Sequence, residues 1–555
     1  MEKLSTAPVR WLILLIGSVL FLPFLGHAPL FDWDEINFAE SAREMIITGN
    51  YSRVQINFQP FWEKPPLFFW MQAACMHLFG INEYSARLPN AIAGILTLIS
   101  VFEIGRRTRN QQFGILWAAC LAGSFLPHVY FKSGIIDPVF NYFIFLSVWF
   151  MYKSTVKPAK QSCILWSGLF AGLAVLTKGP VGLLIPLLVM IVYIISSRFT
   201  FRPAPKSILI WLSCVLLVSL AWFGPETIKN GPWFLEEFIR YQLRLFSTPD
   251  AGHGQPFYYH FVVVLLGCFP MSAFGLLHFF SSSAISDPFR KFMKILFWVV
   301  MILFSLVTTK IVHYSSLSYL PLAYVAATDL QRWFSGDRYF SGRHLTVILT
   351  TGSVIGLSLL LIPLIGRHPE WVMDLIKDPF ARQNLQASVA WPWYTLLPGM
   401  AWFSGLLLTA LFILKKQTRQ SIYSLLGGVL IAVPLFLLLF PSRIAAYTQG
   451  APVDFFKAIG KHNVYIETLG YKSYAQYFYS KKMGVSPAEK THSLDQNGRY
   501  NIDVLRKWLL EGKTDKPVYF VVKTIHEQEY LKPYGLQCIG RKNGFTFLKR
   551  PLPSE

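Results

Sequence analysis

The sequence predicts an α-helical polytopic membrane protein of about 13 transmembrane helices, followed by a small C-terminal α/β domain on the outer side. Three observations carry this. Hydrophobic residues make up 53% of the chain and charged residues 15%, where a soluble domain carries roughly 25% charged. Apolar runs long enough to span a bilayer recur through residues 1–440. Beyond Pro441 the pattern changes to short amphipathic runs and turn signals. The net charge of +21 need not mean a nucleic-acid partner, because membrane proteins concentrate Lys and Arg in their cytoplasmic loops. Cys75, Cys120, Cys163, Cys214 and Cys268 lie in apolar stretches and Cys538 stands alone. That spacing gives neither a disulfide framework nor a thiolate metal site.

The first apolar run, Trp11 to Leu30, follows a short basic N-terminus and is expected to run outward. Its length and the spans that follow argue against a cleaved signal peptide. Three carboxylates, Asp32, Asp34 and Glu35, sit where it leaves the bilayer. Ile36, Ala39, Ala42, Met45 and Ile46 then recur at helical spacing, with Glu40, Arg43 and Glu44 opposite. This predicts an amphipathic helix lying on the membrane surface with Asp34 near its N-terminus. In the plainest reading Asp34 is an N-cap and Glu35 complements the helix dipole. The next cluster is Phe61-Trp62-Glu63-Lys64-Pro65-Pro66-Leu67. Proline holds the preceding Lys64 extended, so its ammonium could meet a lipid phosphate; the alternative is an interfacial snorkelling pair with Glu63. Phe68 to Phe79 is apolar but short, an interfacial or re-entrant helix.

Further spans are expected near 88–105, 111–129, 136–152, 162–177, 180–197, 207–224, 257–280, 292–309, 313–329, 344–365, 392–414 and 421–440. Six alternate loops each hold three basic residues, from Arg106, Arg107 and Arg109 through Lys153, Lys157 and Lys160 and Arg332, Arg338 and Arg343 to Lys415, Lys416 and Arg419. The positive-inside rule puts those loops in the cytoplasm and the segment 31–87, the loops 225–256 and 366–391, and residues 441–555 outside. The tail 441–555 carries strand-like runs at Val464–Leu469 and Val518–Lys523. A hairpin is expected over Gln537–Leu548 across Asn543-Gly544. Helical patterns lie near 452–462, 472–482 and 501–511.

Two ionisable residues mark the outer ends of spans, Asp137 before Pro138 and Lys178 before Gly179-Pro180. Ionisable groups within a membrane are functional candidates by default. Asp34, Glu63, Lys64, Asp137, Lys178, Lys310, His313, Tyr314 and His368 all map to the outer side and could converge on one outward-facing cavity holding acids and bases.

These motifs resemble the lipid-linked-sugar glycosyltransferases of the GT-C class. The Asp34-Glu35 pair opens a helix ending Ala-Arg-Glu-Met, and Trp62-Glu63-Lys64-Pro65-Pro66, Asp137-Pro138 and Leu176-Thr177-Lys178-Gly179-Pro180 follow at family spacing. The resemblance covers roughly 8–440. It is closest to the bacterial 4-amino-4-deoxy-L-arabinose transferases of lipid A, with protein O-mannosyltransferases more distant. It implies a GT-C fold in the bacterial inner membrane with the active site extracytoplasmic. It also implies a polyprenyl-phosphate sugar donor and a lipid A-like, glycan or protein acceptor. Asp34 matches the acid at the reaction centre, and Asp137 is the second catalytic candidate. Glu35, Lys64, Lys178, Lys310, His313 and Tyr314 are candidates for binding substrate. The resemblance further implies a divalent metal (Zn, or Mg or Mn) held by Glu63 and a late-loop histidine, for which His368 is the candidate. Where relatives often carry a basic residue three positions after the Asp, this chain has Asn37.

The chemistry agrees with these roles. An acceptor hydroxyl needs a general base, whereas a phosphate acceptor needs only orientation. The leaving phosphate can be stabilised by Lys64, Lys178 or a metal. No Gly-rich nucleotide motif appears, consistent with a lipid-linked donor. The competing readings are a transporter or flippase of a lipid-linked sugar, which should show paired halves and broken midplane helices, and a non-catalytic scaffold.

Overall fold

The computed structural model describes residues 6–32, 34–156, 160–248, 254–279, 287–336, 342–496 and 498–552. Lys157 and Arg338, counted above among the loop bases, lie outside the described residues. The first helix, α1 (Thr6–Phe21), packs against α4 (Glu83–Thr108). Asn82 starts α4: its side chain accepts from the Ser85 N–H at 2.9 Å, and Ser85 answers to the Asn82 backbone, a capping box.

Helix covers the stretches expected to span, although 111–129 and 257–280 are each broken into two helices and 313–329 opens as a 3₁₀ turn. Among the described residues, five are long and apolar enough by themselves to cross a membrane: Glu83–Thr108, Pro205–Asn230, Gly342–Arg367, Trp393–Leu414 and Thr418–Thr448. Gln111–Ala122 and Phe125–Phe131, bent by 77° at their junction, make a sixth if they form one span. The expected count of thirteen is therefore not reproduced by length and composition. Length accounts for part of this: α1 and Val181–Ser196 have 16 residues each, about 24 Å at the α-helical rise, short of the roughly 30 Å apolar slab. The helices hold together through an aromatic core. Trp117 meets Tyr324 at 4.9 Å and Phe145 at 5.8 Å, both edge-on, and its indole N–H reaches the Leu320 carbonyl at 3.2 Å.

Over one end of this bundle lies a second layer. It contains α2 (Asp34–Thr48), a short hairpin of β1 (Gln55–Ile56) and β2 (Gln59–Pro60), and α3 (Leu67–Phe79). The C-terminal residues add a four-stranded sheet of β3 (Tyr465–Leu469), β4 (Val518–Lys523), β5 (Gln537–Lys542) and β6 (Phe545–Arg550), in the order β3-β4-β6-β5. β3 and β4 are parallel; the other pairs are antiparallel. The β5–β6 turn is the expected Asn543-Gly544, both at positive φ. The helices Gly450–Ile459, Ala475–Tyr479 and Ile502–Glu511 fall within or beside the three helical patterns read from the tail.

The sheet alternates as strand geometry demands. Phe520, Val522 and Leu548 pack with Leu505, Trp508 and Leu509 of the Ile502–Glu511 helix. Val521, Phe545 and Phe547 point the other way and share a core with Phe38, Ala39, Phe68 and Phe69 of the outer layer. This corrects the expectation for α2. Its spacing predicts a polar face toward water, yet Glu40, Arg43 and Glu44 are 0%, 1% and 0% exposed. Periodicity shows which residues differ from their neighbours but not that a second apolar surface will cover the polar ones. Their charges are met internally. Arg43 donates to both Glu40 oxygens at 2.6 and 2.7 Å, and Glu44 accepts the Phe58 N–H at 2.7 Å. Burial and the neighbouring Glu40 push the Glu44 carboxyl well above the usual range.

Candidate active site

A cavity of about 790 Å³ opens where the outer layer meets the bundle. Its reactive groups come from the ends of elements. Asp34 is the first residue of α2. Asp137 is the first residue of the Asp137–Thr155 helix, with Pro138 at the position where a missing N–H costs nothing. Lys178 is the last residue of Gln161–Lys178. Gly179 follows at φ +90°, and a Cβ there would collide with the Phe238 ring, so glycine both turns the chain and admits the ring. His313 and Tyr314 lie on a short 3₁₀ helix, Val312–Ser318. The Ser316 hydroxyl donates to the His313 carbonyl at 2.5 Å and accepts from Asn141 at 2.7 Å, fixing that helix against the Asp137 helix.

The charges form a chain. The Lys178 ammonium donates to Asp137 at 2.5 Å and lies 5.0 Å from the Tyr314 ring centre. His313 Nε2 is 3.7 Å from one oxygen of Asp34 and 3.7 Å from one of Asp137, bridging the two acids. Lys64 stands on the loop before α3, 5.2 Å over the Tyr241 ring. Burial holds the Lys64 ammonium below its usual range, and the carboxylates of Glu63 and Asp34 oppose that shift. A buried cation so placed gains from a bound anion, because the anion supplies the charge balance that water does not.

The cavity thus collects Asp34, Glu63, Lys64, Asp137, Lys178, His313 and Tyr314 of the sequence candidates, along with Asn37. Three candidates lie elsewhere. Glu35 points away from it into a buried pair with Arg87 at 2.7 Å and accepts the N–H groups of Phe31 (2.9 Å) and Gly134. Arg87 in turn donates to the carbonyls of Leu25, Ala28 and Pro29. A residue adjacent to Asp34 on a helix faces about 100° away, so Glu35 ties α2 to the bundle instead of lining the cavity. Lys310 is buried outside the lining, with its ammonium on the Val307 carbonyl at 2.8 Å. His368 is half exposed past the Gly342–Arg367 helix, hydrogen-bonded to Glu370 at 3.0 Å and stacked on Trp371.

The expected Glu63–His368 metal pair is therefore not brought together at the cavity. Among the described residues no three His, Cys, Asp or Glu side chains are grouped to hold a metal ion. His368 lies outside the cavity lining that holds Glu63: loop membership located His368 without locating its side chain.

The lining also includes residues that sequence reasoning missed. Tyr241 and Arg244 come from Trp233–Ser247, an amphipathic helix whose period was legible inside the loop 225–256. Lys472 comes from the C-terminal residues, where nothing local distinguishes it from seventeen other basic residues.

Residues 63–228 match the family model described as dolichyl-phosphate-mannose-protein mannosyltransferase. The chain is 26% identical over 396 residues to undecaprenyl phosphate-alpha-4-amino-4-deoxy-L-arabinose arabinosyl transferase 2 of Proteus mirabilis, covering 65% of this chain and 69% of that protein. It is 25% identical over 395 residues to the corresponding transferase of Shewanella sediminis, covering 68% and 69%. The crystal structure of ArnT from Cupriavidus metallidurans bound to undecaprenyl phosphate superposes with a TM-score of 0.76 at 17% identity, covering 98% of both chains, which shows a shared fold. These relatives mark the chain as a glycosyltransferase, and the superposition gives it the fold of that transferase structure. Within that class the chain is similar to the aminoarabinose transferases and, over a shorter stretch, to the protein mannosyltransferases.

Proposed function

We propose that the protein transfers a sugar from a polyprenyl-phosphate carrier to an acceptor on the outer face of a bacterial inner membrane. The observation that carries this reading is one cavity uniting Lys64 and Lys178 with Asp34, Asp137 and His313. The carrier phosphate sits by Lys64, whose buried ammonium gains most from an anion. The acceptor oxygen bonds to the anomeric carbon while the bond from that carbon to the phosphate oxygen breaks, and the polyprenyl phosphate leaves with the electron pair. For a hydroxyl acceptor Asp34 takes the proton. For a phosphate acceptor, as on a lipid A-like molecule, Asp34 orients it or stabilises positive charge developing at the sugar. His313 between Asp34 and Asp137 holds the two acids apart at fixed spacing, and Asp137 in turn positions Lys178. No step in this reading is routed through a metal. The outer-face orientation is supported by the six three-base loops. The transporter reading draws no support from the relatives, which are named as transferases.

The test is Asp34→Asn, which keeps size and capping capacity. Transfer is expected to fall to background while donor binding and thermal stability in detergent stay near wild type. Wild-type turnover in this variant would reduce Asp34 to a helix cap.

A further inference from the structure

A second cavity of about 450 Å³ lies in the C-terminal layer, outside the reaction centre. It is framed by the turn after the Gly450–Ile459 helix, the loop 480–486 and Lys516 just ahead of β4. Its size falls in the range of small-ligand sites. Its walls mix polar groups, the amide of Asn463 and the hydroxyls of Ser480 and Ser486, with the apolar side chains of Val464, Ile466, Met483 and Val485. The charge is unbalanced: Lys481, Lys482 and Lys516 face a single lining carboxylate, Glu489. That carboxylate is engaged by Lys482 at 2.7 Å and by the Ser486 N–H at 2.9 Å, and Lys482 also donates to Asn57 at 2.8 Å. Lys516 lies 5.4 Å from the Tyr465 ring centre.

Lys481 is the telling residue. It follows the Ala475–Tyr479 helix at φ +56°, where its N–H closes on the Phe478 carbonyl and the Lys482 N–H on the Tyr477 carbonyl. Glycine is the usual residue at such a helix end because it takes the left-handed conformation without strain. A lysine there sets an exposed cation on the cavity at a conformational cost.

We propose that this cavity is an accessory binding site for a phosphorylated saccharide. The lysines supply the phosphate contacts, and the amide and hydroxyl walls suit a sugar's hydroxyls. The saccharide half rests on the glycosyltransferase reading; the anion half rests on the lysines alone. The test is calorimetric titration of the full-length protein in detergent, without donor, using glucosamine 1-phosphate, inorganic phosphate and glucosamine as probes. Glucosamine 1-phosphate is expected to bind more tightly than either simpler probe. Lys481→Gly combined with Lys516→Ala should weaken it by about tenfold or more, the scale of one charge-assisted contact. Lys481→Gly removes the charge while relieving the backbone, so loss of fold does not confound the result. Lys64→Ala, which disables the reaction centre, should leave this binding in place, so failure of the transfer reading is told apart from failure of this one. Competition by nanodiscs carrying a phosphorylated glucosamine disaccharide lipid marks a glycolipid headgroup as the source; its absence alongside lysine-dependent binding marks a soluble glycan. Binding that ignores the two lysines, binding lost in Lys64→Ala, equal affinity for inorganic phosphate, or no binding at about 10 mM probe overturns the proposal.

Discussion

In the proposed transfer Lys64 is the residue that holds the donor phosphate. Its backbone is restrained by Pro65-Pro66 before ligand arrives, which limits the ordering cost of a phosphate contact. Lys64→Ala is expected to weaken donor binding by one to two decades, from the roughly 1.5–3 kcal/mol of a charge-assisted contact. Lys64→Arg should rescue only in part, because a planar fork needs different geometry; donor affinity measured beside turnover checks both. Asp32, two residues before Asp34, behaves differently. Burial raises its carboxyl from 3.8 to about 6, although the Ser473 hydroxyl and Tyr474 N–H oppose the shift. The unfolded chain therefore loses this proton first, and between about pH 4 and 6 the folded state holds more protons. Stability from this group is present below that window and lost as pH rises through it, by about 3 kcal/mol. Wild type is expected to melt higher at pH 5 than at pH 7.5, and Asp32→Asn to narrow that difference, the buried Glu44 carboxyl supplying the remainder. Equal pH dependence in the two proteins would count against the buried-carboxyl account. At this scale the sequence was most informative where an ionisable residue ended an apolar run. Asp34, Lys64, Asp137 and Lys178 all reach the cavity, because a helix end is where such a group can avoid the membrane interior. Glu35 and Lys310 carried the same signal and point elsewhere, since spacing along the chain leaves side-chain direction open.

At the scale of elements, α2 is fixed by buried ion pairs on both sides of its axis. Glu35–Arg87 fastens its first turn to the bundle and Glu40–Arg43 occupies its far face. Removing one partner of a buried pair leaves an uncompensated charge, which costs about 3–5 kcal/mol. Arg87→Ala, although remote from the cavity lining, is thus expected to lower melting temperature steeply and to abolish transfer through misplacement of Asp34. Replacing Glu35 and Arg87 together by apolar residues of similar volume should restore part of the stability. A thermal melt of the single and double variants separates the two costs. The existence of α2, of α3 and of the Asn543-Gly544 hairpin was readable from period and turn chemistry. The burial of α2 was not, because part of the apolar surface that covers it belongs to C-terminal residues more than four hundred positions away.

For the whole molecule, orientation is the property on which the outer-face reading depends. Cys538 is exposed on β5, whereas Cys120, Cys163 and Cys268 are buried. In spheroplasts a membrane-impermeant maleimide is expected to label Cys538 and an introduced Ser52→Cys from outside. Labelling of either only after permeabilisation would put the cavity on the other face. The same architecture has a consequence for how the enzyme comes into being. The Ser473 hydroxyl reaches the Asp32 carboxylate across 441 positions of sequence, and the Tyr479 hydroxyl receives the Leu30 N–H across 449. The segment leading into Asp34 is therefore clamped by residues near the end of the sequence. Contacts so distant along the chain carry a high loop-closure cost, and a chain truncated before Lys472 is expected to keep the bundle while losing both clamps on the segment ahead of Asp34.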